Sequence, residues 1–262
     1  MIDFVKKETY GLNDLKNIVS ILRAPGGCPW DAEQTHESLC RGTLEECYEV
    51  IEAIHEQDPG HLKEELGDLL LQVVFHADIE RQAGRFDLEA VADGVSKKLI
   101  FRHPHVFGDV QVADSAEVLV NWDALKRQEK DQETYTDTLT SVAKSLPALW
   151  RAEKVQKKAK KAGFDWPDAS GAVDKLSEEL EELRQAIAQD TNVAEELGDL
   201  LFSVVNVSRF LKTDPEEALN AATEKFISRF AKVEQLVLSQ GKEMTDLSLE
   251  ELDKLWEQAK LT

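Results

Sequence analysis

The heptapeptide EELGDLL occurs twice in the chain, as Glu64–Leu70 and as Glu195–Leu201. Apolar residues with helical spacing surround each copy, although a glycine inside a helix costs roughly 1 kcal/mol relative to alanine. Acidic residues this close to an apolar run are also unusual for a surface that serves packing alone. The repeat therefore indicates a duplicated helical unit in which the glycine and the acidic residues have a function.

The similarity between the two halves of the chain extends beyond this heptapeptide. An E-E-x-x-E pattern precedes each copy, and K-x-x-x-R and W-x-x-x-K patterns follow each copy in the same order. In chain order these patterns are Glu45–Glu49, Lys98–Arg102 and Trp122–Lys126, then Glu178–Glu182, Lys225–Arg229 and Trp256–Lys260. The order predicts an N-terminal repeat over residues 1–130 and a C-terminal repeat over residues 145–262, joined by a threonine-rich linker over residues 131–144.

The spacing of apolar residues predicts helices almost everywhere. The first stripes cover Leu12–Leu22, Leu44–Ile54, Leu62–Val74 and about Asp87–Phe101. Turn residues such as Asp58-Pro59-Gly60 separate these stripes. Only residues 109–112 alternate as a strand would, and that segment is too short to carry a sheet. The sequence therefore predicts an all-α fold.

Composition excludes several classes of partner. The 262 residues carry a formal charge of −20, from 31 basic and 51 acidic residues, so a nucleic-acid polymer or an anionic membrane is disfavoured. Cys28, Cys40 and Cys47 form no C-x-x-C pattern, which disfavours a zinc site or a disulfide framework. Reduced thiols, with no signal peptide or membrane-spanning run, predict a cytoplasmic protein.

Acidic residues of the first repeat pair on neighbouring helices. Glu46 and Glu49 lie three residues apart and share one helix face, and Glu65 and Asp68 do the same on the next helix. The midpoint between the two pairs is residue 57, beside the predicted turn. An antiparallel hairpin would therefore bring four carboxylates to the same height.

The second repeat gives the same arrangement. Glu179 and Glu182 pair with Glu196 and Asp199 about a midpoint at residue 189, beside Asp190-Thr191. Four unaccompanied carboxylates would repel one another, and a hard divalent cation resolves that conflict. An all-oxygen ligand set favours Mg²⁺, or Mn²⁺, over zinc.

The acidic residues and the repeated glycine have other possible roles. Glutamate-rich helices are commonly solvated faces, and Gly67 and Gly198 suit either tight helix packing or the close approach of a ligand or backbone. A di-iron site requires Glu-x-x-His on paired helices. Glu52-x-x-His55 fits that pattern, but all six histidines precede Val106, so the second repeat has none. No P-loop occurs, and no serine–histidine or cysteine–histidine arrangement recurs in both repeats.

The combined motifs resemble the MazG nucleoside triphosphate pyrophosphohydrolases over nearly the whole chain. Besides the duplicated acidic motifs, the resemblance rests on Cys28–Asp31, Arg102–Phe107 and Gly163–Trp166. It implies a duplicated all-α helical-bundle fold, usually dimeric. It also implies Mg²⁺-dependent hydrolysis of NTPs and dNTPs to nucleoside monophosphate and pyrophosphate, in nucleotide-pool clearance or regulation.

The resemblance also assigns roles in the second repeat. The implied metal ligands are Glu179, Glu182, Glu196 and Asp199. Glu178 and Glu195 are candidates for an outer ligand shell or for the base that activates water, a choice that the sequence leaves open. The implied phosphate-binding cations are Lys175, Lys225, Arg229 and Lys260, with Lys126 as a further candidate. Trp256 is expected to stack on a nucleotide base of any kind.

The motif alone does not decide which repeat is catalytic. Lys175 precedes Glu179 by one helical turn, whereas Gly42 holds that position before Glu46. This difference and the family pattern favour the second repeat, with Glu46, Glu49, Glu65 and Asp68 as a degenerate, regulatory or second active site. The rival class is a non-enzymatic helical module that binds metal or nucleotide as a regulatory ligand.

Overall fold

The computed structural model describes residues 4–112, 114–129 and 132–260, and every regular element in those ranges is a helix. The first seven are α1 (Leu12–Arg23), α2 (Pro29–Glu33), α3 (His36–Glu56), α4 (Pro59–Gln82), α5 (Leu88–Arg102), α6 (Pro104–Phe107) and α7 (Ser115–Glu129). Then follow α8 (Tyr135–Thr140), α9 (Ala148–Lys161), α10 (Ala169–Gln189), α11 (Val193–Leu211), α12 (Pro215–Ser239), a 3-10 turn at Met244–Asp246, and α13 (Leu249–Ala259). The predicted all-α fold is confirmed, and residues 109–112 form no strand.

The chain divides into one compact unit up to Lys126 and a second unit from Arg127 onwards. Helix α8 lies inside the segment that the sequence predicts as a linker, residues 131–144. Asp131, where that segment begins, lies outside the described residues. The predicted domain boundaries at residues 130 and 144 stay a prediction.

Local signals set the hairpin of α3 and α4 in the first unit. Thr35 caps α3, since its hydroxyl accepts the backbone N–H of Ser38. The helix ends at Gln57, whose φ of 56° is left-handed, and Asp58 then caps α4 by accepting two backbone N–H groups. Pro59 occupies the first helical position, where its missing N–H costs nothing. The chain therefore reverses within two residues, and α3 packs along α4.

The hairpin of α10 and α11 in the second unit repeats the first half of this design, although Asn192 precedes α11 without a side-chain cap. Asp168 caps α10, and the helix ends at Asp190 with a left-handed φ of 54°. Asp190 follows Glu182 by the same eight residues that separate Gln57 from Glu49. Because both reversals fall at the same distance from E-E-x-x-E, the two hairpins hold that motif in the same register.

Each unit has its own apolar cluster. Val19, Leu39, Val74 and Phe75 are buried together where α1, α3 and α4 meet. In the second unit the buried cluster joins α12 to α13, and its members are Val233, Val237, Leu255 and Ala259. The first cluster fixes the helices that carry the acidic residues of the first unit, and the second fixes the helix that carries Trp256.

Each unit contains a buried arginine–aspartate pair. In the first unit the aspartate lies on the second hairpin helix, and in the second unit the arginine does. Arg23 of α1 faces Asp78 of α4, with Nε and Oδ2 3.4 Å apart and both side chains 4% exposed. Arg209 of α11 faces Asp165, and its Nη1 donates to Oδ2 at 3.0 Å. Asp78 and Arg209 each lie ten residues beyond the aspartate of E-L-G-D. Each unit therefore has a buried ion pair at this position of its second hairpin helix, with an aspartate there in the first unit and an arginine in the second.

Candidate metal centre

Carboxylates converge on the hairpin of the second unit. Glu179 of α10 and Glu196 and Asp199 of α11 each place one oxygen within 4.8 Å of the others. Glu179 is buried, Glu196 is half-buried and Asp199 is exposed. The cluster thus runs from the interior of the hairpin to its surface, and all of its donors are carboxylate oxygens, which suit a hard divalent cation.

The first unit contains a similar cluster. Glu46 and Glu49 of α3 and Glu65 of α4 bring one oxygen each within the same 4.8 Å. Neither Glu52 nor His55, which a di-iron site would use, is among the clustered groups that the described residues form. Three of the four carboxylates predicted to converge in each unit therefore do so, from two antiparallel helices.

The fourth predicted carboxylate lies outside the tight group in each unit. In the second unit it is Glu182, whose pKa is raised by desolvation and then by the negative charge of Glu179. In the first unit it is Asp68, whose charge, after burial, raises the pKa of Glu46. Both fourth members thus act electrostatically on their cluster, although three carboxylates form its centre.

Glu179 is the least accessible member of the second cluster. Its side chain is 7% exposed, and Lys175 Nζ approaches its Oε1 at 2.7 Å. Its Oε2 is buried and has no hydrogen-bond partner among the described residues. A buried carboxylate oxygen without a donor is costly, so the residues present fit a cation bound at this oxygen.

Lys175 also joins Glu178 to the cluster. The ammonium lies 2.8 Å from Glu178 Oε1, and these two glutamates, Glu178 first, raise the pKa of Lys175 above its ordinary value. Glu195, the other predicted catalytic residue, is exposed in the first turn of α11. The structure therefore brings Lys175 and Glu178 to the clustered carboxylates and leaves Glu195 at the solvent side of its helix.

The remaining predicted ligand-binding residues of the second unit lie on α12 and α13. Trp256 packs against the apolar cluster of those helices, and its ring centroid lies 5.1 Å from that of Phe226. Lys225 and Arg229 flank Phe226 on α12, and Lys260 pairs with Glu257. These residues gather at the α12–α13 pair, while Lys126 ends the first unit.

Two residues near the first cluster were not predicted from the sequence. Gln72 donates to Glu46 and fills the space beside Gly42, where a Cβ would lie 3.4 Å from Gln72 Nε2. His61 places Nε2 3.2 Å from Glu65 Oε1. Gln72 follows Asp68 by one helical turn, as Ser203 follows Asp199, but because the two residues differ, the repeat gives no signal for Gln72.

A second polar network of α3 and α4 was also missed. His36 Nδ1 lies 2.7 Å from His76 Nδ1, and its Nε2 lies 2.5 Å from Glu80 Oε1. Arg85, and then His36, lower the pKa of Glu80 to about 2. Burial and the neighbouring His36 lower the pKa of His76. The network ties the start of α3 to the end of α4, and residues forty positions apart gave no sequence signal.

The fold and the two clusters define a class: duplicated all-α proteins in which each hairpin gathers carboxylates. A family model described as the MazG nucleotide pyrophosphohydrolase domain matches the chain twice, over residues 34–107 and 170–233. Each match contains E-E-x-x-E and E-L-G-D, and with them one of the clusters. The chain belongs to the MazG family and is a hydrolase.

Individual relatives agree with this assignment. A Thermotoga maritima protein named nucleoside triphosphate pyrophosphohydrolase/pyrophosphatase MazG is 47% identical over 94% of this chain and 94% of its own length. An Escherichia coli nucleoside triphosphate pyrophosphohydrolase is 45% identical over 95% of this chain and 97% of its own. The Bacillus subtilis protein YabN, named as uncharacterized, is 48% identical over 94% of this chain and 51% of its own.

None of the helices in the residues that the structure covers is both long and apolar enough to cross a bilayer.

Proposed function

We propose that the chain is a Mg²⁺-dependent nucleoside triphosphate pyrophosphohydrolase that works on NTPs and dNTPs at the second unit. Water is added across the α–β bridge, so the products are a nucleoside monophosphate and pyrophosphate. The observation that carries the proposal is the buried, unpartnered Oε2 of Glu179 within a cluster of carboxylates. The names and high coverage of the relatives support the same reaction.

The proposed metal ligands are Glu179, Glu182, Glu196 and Asp199. When bound there, Mg²⁺, or Mn²⁺ in its place, offsets the charge of the triphosphate and polarises the bond that breaks. The all-oxygen donor set supports this choice, because Mg²⁺ sites use carboxylates together with substrate phosphates.

Residues of the chain then supply the rest of the reaction. A carboxylate, Glu178 or Glu195, orients water and accepts its proton as the water oxygen forms a P–O bond and the bridging P–O bond breaks. Lys175, which already lies beside the cluster, is proposed to hold a phosphate. The further proposed phosphate-binding residues are Lys126, Lys225, Arg229 and Lys260. Trp256 is proposed to stack on the base, which suits a broad choice of nucleotides.

A homodimer is part of the proposal. Large apolar side chains of the second hairpin and α12 are exposed, including Leu197 (46%), Leu201 (49%) and Phe226 (55%). Exposed apolar residues in such number are typical of surfaces that a partner covers. A role in clearing or regulating the nucleotide pool, and a cytoplasmic location, stay predictions of the sequence.

Analysis of the products tests the proposal. Purified protein with Mg²⁺ and ATP or dNTPs should release nucleoside monophosphate and pyrophosphate, separable by anion-exchange chromatography. Nucleoside diphosphate with free phosphate as first products would contradict the proposed bond choice. Nucleotide binding with no product at all would favour the regulatory binding module instead.

A further inference from the structure

The Lys175 ammonium takes a place beside the oxygens that a metal ion needs. It lies 2.7 Å from Glu179 Oε1 and 2.8 Å from Glu178 Oε1. The Glu179 side chain is 7% exposed and the Lys175 side chain is 37% exposed. The buried carboxylate therefore has one positive partner at its outer oxygen, while Oε2 is left without one.

The first unit provides an internal comparison, because it fills the same space without a charge. Gly42 stands where the second unit has Lys175, and Gln72 of α4 supplies the long side chain that reaches Glu46. In the second unit the position of Gln72 is held by Ser203, which is small and buried. The long side chain has thus changed helices between the units, and an amide has been exchanged for an ammonium. Since a neutral group can fill this space, packing alone does not require a cation at position 175.

A cation at this position has a direct consequence for metal binding. Lys175 and a divalent ion at the cluster would lie within a few ångströms of each other, where like charges repel strongly in a partly buried site. Both would also compete for Glu179. A triphosphate removes the competition, because its oxygens can accept the ammonium and draw Lys175 away from Glu179.

We propose that Lys175 is an internal counter-ion of the second cluster, which weakens metal binding until a nucleotide takes its ammonium. Metal and nucleotide then bind with positive coupling, and the nucleotide-free site avoids holding a divalent ion tightly. This inference rests on the metal site and the triphosphate substrate of the proposed function. It adds a sequence of events, in which Lys175 leaves Glu179 when the substrate binds.

Metal titration of the nucleotide-free protein tests the inference. The full chain carries Glu49→Gln and Asp68→Asn, two changes at exposed positions that are chosen to weaken metal binding at the first cluster. Two further variants are made in this background. Lys175→Met keeps the length of the side chain and removes its charge, and Lys254→Met is the matched control. Lys254 forms an exposed pair with Glu250 on α13, so its loss lowers the net charge equally. Isothermal titration with Mn²⁺ alone then gives the affinity of the second cluster.

Lys175→Met should bind Mn²⁺ at least about fivefold more tightly than its background, the lower end of ordinary coupling between two ligands. Lys254→Met should match the background. With a non-hydrolysable α,β-methylene nucleotide present and free Mn²⁺ buffered, the difference between Lys175→Met and background should close. Unchanged or weaker Mn²⁺ binding by Lys175→Met overturns the inference.

Thermal unfolding separates this role from a merely structural one. In EDTA, Lys175→Met should have a lower melting temperature than its background because Glu179 loses its counter-ion. Mn²⁺ should then raise the melting temperature of Lys175→Met by more than it raises that of the background. A lower melting temperature with no extra gain from Mn²⁺ would make Lys175 a structural residue only. Tighter Mn²⁺ binding in a protein that releases no pyrophosphate would instead keep the inference and reject the proposed reaction.

Discussion

Glu179 shows at the scale of one residue why this cluster differs from a solvated acidic face. A surface glutamate exposes both oxygens to water, whereas Glu179 gives one oxygen to Lys175 and buries the other without a donor. Such a carboxylate lowers the stability of the free protein. A cation that binds the folded chain would recover that loss, so metal binding and stability should be linked.

Mg²⁺ should therefore stabilise the folded protein, by about 2.7 kcal/mol at a hundred times its dissociation constant. Glu196→Gln removes one clustered charge with little change in volume and should shrink the difference between melting temperatures in Mg²⁺ and in EDTA. Glu181→Gln, on the exposed side of α10, should leave it unchanged. Equal melting temperatures of the wild-type protein in Mg²⁺ and EDTA would support a solvated acidic face.

Asp165 carries a pH dependence in the second unit. Its hydrogen bonds from Arg209, and then the charge of that guanidinium, hold the pKa of Asp165 below its ordinary value. The folded pKa is thus lower than the unfolded one, so the pair stabilises fully above the unfolded value near 4 and loses its contribution as the pH falls through the folded value.

Asp165→Asn should lower the free energy of unfolding at pH 7 by about 3 kcal/mol, because Arg209 is left buried without its partner. The deficit relative to wild type should narrow as the pH falls below 4. Urea unfolding followed by circular dichroism at a series of pH values measures both effects. Asp174→Asn, on the exposed face of α10, serves as the control. A deficit that stays constant with pH would contradict the assigned charge pairing.

The repeated glycine is explained at the scale of the element. Apart from its chain neighbours and the backbone of its own helix, a Cβ built on Gly67 or Gly198 meets no atom of the described residues within 4 Å, so packing among those residues does not require either glycine. Open space beside Asp199 supports the other interpretation, in which a ligand or a second chain approaches the helix.

Gly198→Ala and Gly67→Ala form a matched pair. Each should stabilise its helix by up to about 1 kcal/mol, since alanine is the better helix former. If the space at Gly198 serves the proposed active unit, Gly198→Ala should also reduce pyrophosphate release, while Gly67→Ala should not. Melting temperatures and initial rates of both variants provide the test. Full activity of Gly198→Ala would leave the glycine without a role in the reaction.

The helices were predictable because their signals are local. Apolar spacing and the turn at Asp58-Pro59-Gly60 predicted the first hairpin, and the same spacing about Asp190 predicted the second. The start of α3 was missed by several residues, since Leu39 is its sole buried apolar residue before Leu44 and its Thr35 cap uses Ser38 rather than glutamate.

Pairings between distant residues were not predictable in the same way. The exchanged pairs of Arg23 with Asp78 and Asp165 with Arg209 join residues more than forty positions apart, and reversing the charges hides them from a search for repeats. The difference between Gly42 and Lys175 is visible in the sequence, but the contact of Gln72 with Glu46 is not, because Ser203 at the equivalent position cannot make it. The two units therefore share helices and acidic motifs, but differ in the residues that make these contacts.

At the scale of the whole molecule, a charge of −20 has to be reconciled with a polyanionic substrate. The overall field repels a triphosphate, so binding must depend on local cations and metal ions rather than on long-range attraction. The two units differ in this respect, because Lys175 lies at the second cluster and Gln72 takes its place at the first. That difference favours the second unit as the place where nucleotide is hydrolysed.

Equivalent substitutions in the two units test which unit is catalytic. Asp199→Asn and Asp68→Asn each remove one charge from an exposed aspartate of E-L-G-D, so neither should disturb the fold. Asp199→Asn should reduce turnover by roughly a hundredfold or more, because bound metal carries much of the charge stabilisation in such reactions. Asp68→Asn should stay within a few-fold of wild type. Steady-state pyrophosphate release, with circular dichroism to check folding, is the measurement. Equal losses would mean two working sites, and a loss confined to Asp68→Asn would move catalysis to the first unit.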